Sequence, residues 1–123
     1  MAKLTKKYSQ LIGDKVIVSN RRLRDQLSQK GFGERIEKTL VLDLREALFL
    51  LERGKIEIKK GRKKLTSKEL LALAEATDKG FYLKYLVFKD LREKGYVVKT
   101  GYKFGFDLRV YPKGKKPGEA HTQ

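Results

Sequence analysis

Apolar and polar positions alternate with two different periods along this chain, and the switches between them mark its elements. Leu11-Ile12, the turn signal Gly13-Asp14 and the β-branched run Val16-Ile17-Val18 predict two short paired strands. Met1 to Lys7 before them is polar and basic and reads as a frayed end. Ser19 or Asn20 can cap a helix through Gln29, with Leu23 and Leu27 four apart on one side. Gly31-Phe32-Gly33 ends that helix, and Arg35 to Leu42 is expected to return as a strand.

Asp43 has the side chain of an N-cap, and Glu46 stands three residues on, as a capping box requires. Leu44, Ala47, Leu48 and Leu51 form a helical stripe that Gly54 closes, and Ile56-Glu57-Ile58 predicts a strand. The run Lys59-Lys60-Gly61-Arg62-Lys63-Lys64 reads either as a solvated loop or as a phosphate contact surface. Thr66 or Ser67 caps the next helix, with Glu69 and Glu75 along it and an apolar face from Leu70, Leu71, Leu73 and Ala74. Thr77 to Gly80 breaks the pattern.

The last helix is predicted from Phe81, Tyr85, Phe88 and Leu91, with Leu86 and Val87 broadening the stripe. Lys84, Lys89, Asp90, Arg92, Glu93 and Lys94 are assigned to its polar side, and Gly95 closes it. Tyr96-Val97-Val98, the turn signal Thr100-Gly101, Tyr102-Lys103-Phe104 and the alternating Phe106, Leu108, Val110 then predict a meander. The fold class expected is α+β (mixed α/β). A small N-terminal α+β domain occupies residues 1–66, and a helix-and-meander unit of α/β type occupies 67–123. The break falls near Thr77 to Gly80, and the helix from Ser67 can pack on either side.

Composition narrows the function. The chain has 123 residues, 40% of them apolar, and no run approaches the ~20 apolar residues of a membrane helix. No signal-peptide pattern opens it, so a cytoplasmic location without a membrane partner is expected. With no cysteine, disulfides and thiolate chemistry are excluded, and a zinc site would have a single histidine to call on. Thirty Lys and Arg against fifteen Asp and Glu give a net charge of +15, which points to a polyanion. The charged surface of a heat-adapted protein is the competing account, but ion-pair networks favour balanced charge.

The stretch YLVFKDLREKGYVVKTGYKFGFDLRVYP, with His121 ten residues after Tyr111, resembles the catalytic domain of the archaeal tRNA-splicing endonucleases, the tRNA-intron lyases. The resemblance rests on Asp90-Leu91-Arg92, the Gly95-Tyr96 exit, Lys99-x-Gly101-x-Lys103-Phe104-Gly105, Asp107 and the Tyr111/His121 pair. Upstream, Leu42 to Ile56 resembles, more weakly, that family's N-terminal domain.

This resemblance implies metal-independent cleavage of precursor tRNA at bulge-helix-bulge junctions, with no cofactor. The RNA's own 2′-hydroxyl is the nucleophile, and the products end in 2′,3′-cyclic phosphate and 5′-hydroxyl. Such a reaction needs a base, an acid and a cation for the charge that builds on phosphorus. By carry-over Tyr111 is the base and His121 the acid, a histidine being suited to donating a proton near neutrality. Tyrosine is a poor base unless cations lower its pKa, and Arg109, Lys113, Lys115 and Lys116 surround Tyr111 in sequence. With Lys99 and Lys103 these are the candidates for RNA contact. In the family the domain continues past the histidine into further strands and a helix, and the third catalytic group, a lysine, lies there. None of Lys113, Lys115 or Lys116 stands at its place in the motif order. Residues 1–123 are therefore expected to hold two of three catalytic groups and an unfinished sheet with an exposed edge. A homo- or hetero-oligomer, dimer or tetramer, is implied as well.

Two other readings stay open: a non-catalytic RNA-binding or structural subunit of such an assembly, and a DNA-directed nuclease of related fold. The second would need a cluster of acidic metal ligands, which is not evident around Asp107 and Glu119.

Overall fold

The computed structural model describes residues 8–100 and 108–111. Their fold is α+β, as the periodicity predicts, with a six-stranded mixed sheet, a two-stranded ladder and four helices among the described residues. The order along the chain is β1 (Tyr8–Ile12), β2 (Lys15–Val18), α1 (Arg21–Gln29), β3 (Glu34–Ile36), β4 (Thr39–Leu42), α2 (Leu44–Glu52), β5 (Glu57–Lys60), β6 (Lys63–Lys64), α3 (Ser67–Thr77), α4 (Phe81–Glu93), β7 (Val97–Thr100) and β8 (Leu108–Tyr111).

The sheet runs β3-β4-β2-β1-β5-β6, with β1 and β5 parallel and the other neighbours antiparallel. Register puts Val16 opposite Leu42, Val18 opposite Leu40 and Ser9 opposite Ile58, and all six residues are buried. Against this face pack α1 at β4 and α2 at β2 and β4.

The segment expected as one strand from Arg35 to Leu42 is a hairpin, β3 and β4, turning at Glu37-Lys38. Glu37 adopts φ 55°, a left-handed conformation that costs a residue with a side chain about 1 kcal/mol or more. Local bonds hold it there: Thr39 Oγ1 donates to the Ile36 carbonyl, and the Arg24 guanidinium donates to the Lys38 carbonyl.

The basic run is likewise no loop. It forms the β5–β6 hairpin, with Gly61 at φ 64° as first residue of a two-residue turn. Burial of Leu65 and its N–H bond to the Ile58 carbonyl (2.8 Å) fix the returning strand.

Both capping boxes form as the sequence indicates. Asp43 and Glu46 exchange bonds of 2.9 and 3.1 Å at the start of α2, and Thr66 and Glu69 exchange bonds of 3.1 and 2.9 Å at the start of α3. The α2 stripe is wider than periodicity suggests. Arg45, Glu46, Phe49 and Leu50 are buried along with Ala47 and Leu48, while Leu44 and Leu51 are only partly covered. The cause is position, since α2 lies between the sheet and the helices α3 and α4. Helix α3 packs against both α2 and α4 through Leu70 and Ala74.

On α4 the buried set is Phe81, Tyr85, Phe88 and Arg92. Leu86 and Val87 do not widen that stripe; they are exposed beside Tyr82 and Leu83. Arg92 leaves the polar side assigned to it and enters the core. Aromatic contacts tie the helix in, with Phe88 meeting Phe49 edge-on at 5.9 Å and Phe49 stacking on Phe32 at 6.0 Å. No helix among the described residues is long and apolar enough to cross a membrane.

Candidate active site

Helix α4 ends where the sequence places its stop. Gly95 takes φ 95°, its N–H donates to the Arg92 carbonyl at 2.9 Å, and the Tyr96 N–H donates to the Leu91 carbonyl at 3.1 Å. Two residues later β7 begins, and it pairs antiparallel with β8. Tyr111 lies at the end of β8 opposite Val97, the first residue of β7; Lys99 and Arg109 pair two steps along the ladder. The candidate base is thus tied by backbone pairing to the first strand residue after the helix. Lys103, Lys113, Lys115, Lys116 and His121, and the strand expected at Tyr102 to Phe104, lie outside the described residues.

Val97 is braced from its other neighbours. Gly31, at φ 81°, approaches so closely that a Cβ there would stand 2.8 Å from Val97 Cγ1. The backbone around Gly31 is held by Arg92, whose Nη1 donates to the Lys30 carbonyl at 3.1 Å and Nη2 to the Gly31 carbonyl at 2.7 Å. The guanidinium lies 3.8 Å from the Phe32 ring centroid. Its counter-ion is Glu46 at 4.0 Å, and the two side chains are only 5% and 4% exposed. Glu46 in turn accepts from the Gly33 N–H at 2.9 Å. Burial lowers the Arg92 pKa to about 10, against the pull of Glu46 and then Asp43. Sequence reading missed this residue, although 81, 85, 88 and 92 continue a single helical stripe.

The start of α4 has no side-chain cap of its own, as Gly80 precedes it at φ 85°. Glu75 of α3 supplies the acceptor instead, taking the Tyr82 N–H at 2.6 Å. Near the other end Arg53 bonds Glu93 at 2.6 Å while lying 4.2 Å from the Phe49 ring centroid, and the Tyr85 hydroxyl donates to Glu52. Burial and then the Glu52 carboxylate push the Tyr85 pKa well above the ordinary tyrosine value. Tyr85 therefore stays protonated and cannot serve as a base near neutrality. A cleft of about 500 Å³, lined among others by Leu27, Phe32, Phe49, Arg53 and Tyr96, opens beside Val97. Among the described residues no three His, Asp or Glu side chains converge as a metal site would need.

Comparison with known proteins matches the chain in two consecutive stretches. Residues 8–71 match the model of the tRNA intron endonuclease N-terminal domain, and residues 81–123 match that of the tRNA intron endonuclease catalytic C-terminal domain. The chain is 47% identical over 114 residues to a protein of Thermococcus gammatolerans named tRNA-splicing endonuclease, covering 92% of this chain and 66% of that relative. A protein of the same name from Methanothermobacter thermautotrophicus is 38% identical over 113 residues, covering 90% of this chain and 65% of its own length. A third from Methanosarcina acetivorans is 39% identical over 112 residues, which span 91% of this chain and 31% of that protein. The chain thus spans a little under two thirds of the first two relatives. Since the two domain models match in order and the first alone takes in more than half of the residues, the chain belongs to the tRNA intron endonuclease family.

Proposed function

We propose that the chain is a subunit of a tRNA-splicing endoribonuclease that cuts precursor tRNA at bulge-helix-bulge intron junctions. Residues 1–66 form its N-terminal domain and 67–123 belong to its catalytic unit. The reading is carried by one observation: the span that matches the catalytic domain contains both Tyr111 and His121 at the expected spacing.

In this reading Tyr111 takes the proton of the 2′-hydroxyl, and the 2′-oxygen attacks the adjacent phosphorus. The bond to the 5′-oxygen breaks, and His121 delivers a proton to that leaving oxygen. A 2′,3′-cyclic phosphate and a 5′-hydroxyl result, with no water consumed and no metal required. The charge on phosphorus is met by a cation, the lysine that follows the histidine in the family order. Lys99, Lys103, Arg109, Lys113, Lys115 and Lys116 contact the RNA, and the cations near Tyr111 in sequence, Arg109, Lys113, Lys115 and Lys116, are the kind of neighbours that suit a tyrosine to act as a base. Recognition is by shape, since A-form RNA hides its base edges and bulged bases are free to stack. The working form is a dimer or tetramer in the cytoplasm, so that two sites cut both ends of an intron.

The test is cleavage of precursor tRNA in EDTA by the intact protein, with analysis of the new ends. Cyclic phosphate and 5′-hydroxyl ends are expected at full rate. Ends carrying 3′-hydroxyl and 5′-phosphate, or activity lost in EDTA and restored by magnesium, would contradict it. RNA binding without cleavage would favour a non-catalytic subunit.

A further inference from the structure

The β5–β6 hairpin at one edge of the sheet is built in a way that folding alone does not favour. Its ladder sets Lys59 opposite Lys64 and Lys60 opposite Lys63, two consecutive pairs of like charge, with Arg62 in the turn between them. Like charges directly opposite destabilise a strand pair. The carboxylates that face Lys63 and Lys64 are peripheral. Lys63 bonds Glu69 of α3 at 2.8 Å, and Lys64 meets Glu57 at 3.6 Å, with all four side chains more than a third exposed. Lys60 and Arg62 are exposed and have no ion pair among the described residues. Lysines blunt a free edge against aggregation, but one or two would do so, and here five of the six residues from Lys59 to Lys64 are cationic.

We propose that this hairpin is a second RNA-contact surface, on the N-terminal domain and separate from the β7–β8 ladder, which grips the phosphate backbone of the precursor RNA. The proposal rests on RNA being the partner, as argued above, and adds where the domain holds it. A polyanion relieves the repulsion between the paired lysines, so binding gains from a cost already present in the free protein. The hairpin offers no aromatic ring to stack on a base, and contacts from its lysines to phosphate carry no sequence information. Gly61 at φ 64° keeps the turn tight, so Lys60, Arg62 and Lys63 crowd one tip.

The experiment measures precursor tRNA binding by the intact protein across a salt series, for the parent, Lys60→Gln/Arg62→Gln and Arg21→Gln/Arg22→Gln. The last pair removes the same charge from exposed positions at the start of α1. The hairpin variant is expected to bind roughly tenfold more weakly at moderate salt. Its slope of log K against log salt should be shallower by roughly 1.4 to 1.8, two phosphate contacts' worth. Its melting midpoint should be equal or higher, because the Lys60–Lys63 repulsion is gone. The α1 variant should bind nearly as the parent does. An unchanged slope in a folded hairpin variant, or an equal loss in both variants, would overturn the proposal. Loss of binding to anionic lipid vesicles with RNA affinity intact would overturn it in favour of a membrane surface. Binding through the hairpin without cleavage would leave the proposal standing and sink the catalytic reading alone.

Discussion

Arg92 of α4 and Glu46 of α2 form a buried ion pair at 4.0 Å that joins the region matching the N-terminal domain to the region matching the catalytic domain. Each partner also bonds the turn after α1: Arg92 at the carbonyls of Lys30 and Gly31, Glu46 at the N–H of Gly33. The pair therefore fixes a turn against which Val97 packs, and Val97 is the ladder partner of Tyr111.

Removing one member leaves the other charge buried. Arg92→Met is expected to lower stability by about 3–5 kcal/mol in urea unfolding, while Arg92→Met/Glu46→Leu costs less than the sum of the two single changes. A single variant within about 0.5 kcal/mol of the parent would show that the pair holds nothing.

Gly31 and Gly54 make a matched comparison. Both have positive φ, 81° and 71°, but a Cβ at Gly31 meets Val97 at 2.8 Å while one at Gly54 meets nothing within 4 Å. Gly54→Ala should cost about 1 kcal/mol, the conformational part alone, and Gly31→Ala about 2–4 kcal/mol. Only Gly31→Ala should also slow cleavage, because it displaces the strand that positions Tyr111. Equal losses of stability and activity in the two variants would remove the bracing argument.

How far these features could be read in advance depends on the range of the forces behind them. The caps at Asp43 and Thr66, the Gly13-Asp14 turn and the Gly95 stop are settled within a few residues, and all stand where the sequence puts them. Arg92 was hidden because its carbonyl partners lie 61 and 62 residues away, and a charged residue on an amphipathic helix is by default assigned to water. The β3–β4 turn was hidden because Glu37 sits where glycine is expected, and the β5–β6 hairpin because charge concealed a strand pair that Leu65 pins. Of the candidate site, the strand carrying Tyr111 follows the alternation of Leu108 and Val110, whereas the setting of His121 rests on the family pattern.

The turn at Glu37 gives a stability gain without touching the site. Glu37→Gly relieves the left-handed strain and should raise stability by about 0.5–1 kcal/mol, read as a higher melting midpoint with unchanged RNA binding. A lower midpoint would mean that the Glu37 side chain makes a contact worth more than the strain.

Tyr85 predicts a pH dependence. Its pKa is raised in the folded protein from the ordinary 10.0, so its stabilisation is complete below pH 10 and is lost as pH rises past that value, when only the unfolded chain ionises. Arg92, lowered to about 10, has the opposite sign above that pH, and a difference between variants cancels it. The stability of the parent relative to Tyr85→Phe should therefore fall above pH 10, by up to about 1.4 kcal/mol per pH unit. A constant difference from pH 8 to 11 would contradict the raised value.

Single-turnover cleavage of precursor tRNA by the intact protein tests most directly whether Tyr111 and His121 act on one phosphodiester. Tyr111→Phe and His121→Ala are each expected to slow the cut by about 10²- to 10⁴-fold with RNA affinity within a few-fold, and the double variant by less than the product of the two effects. Cleavage at the parent rate by either single variant would contradict the account.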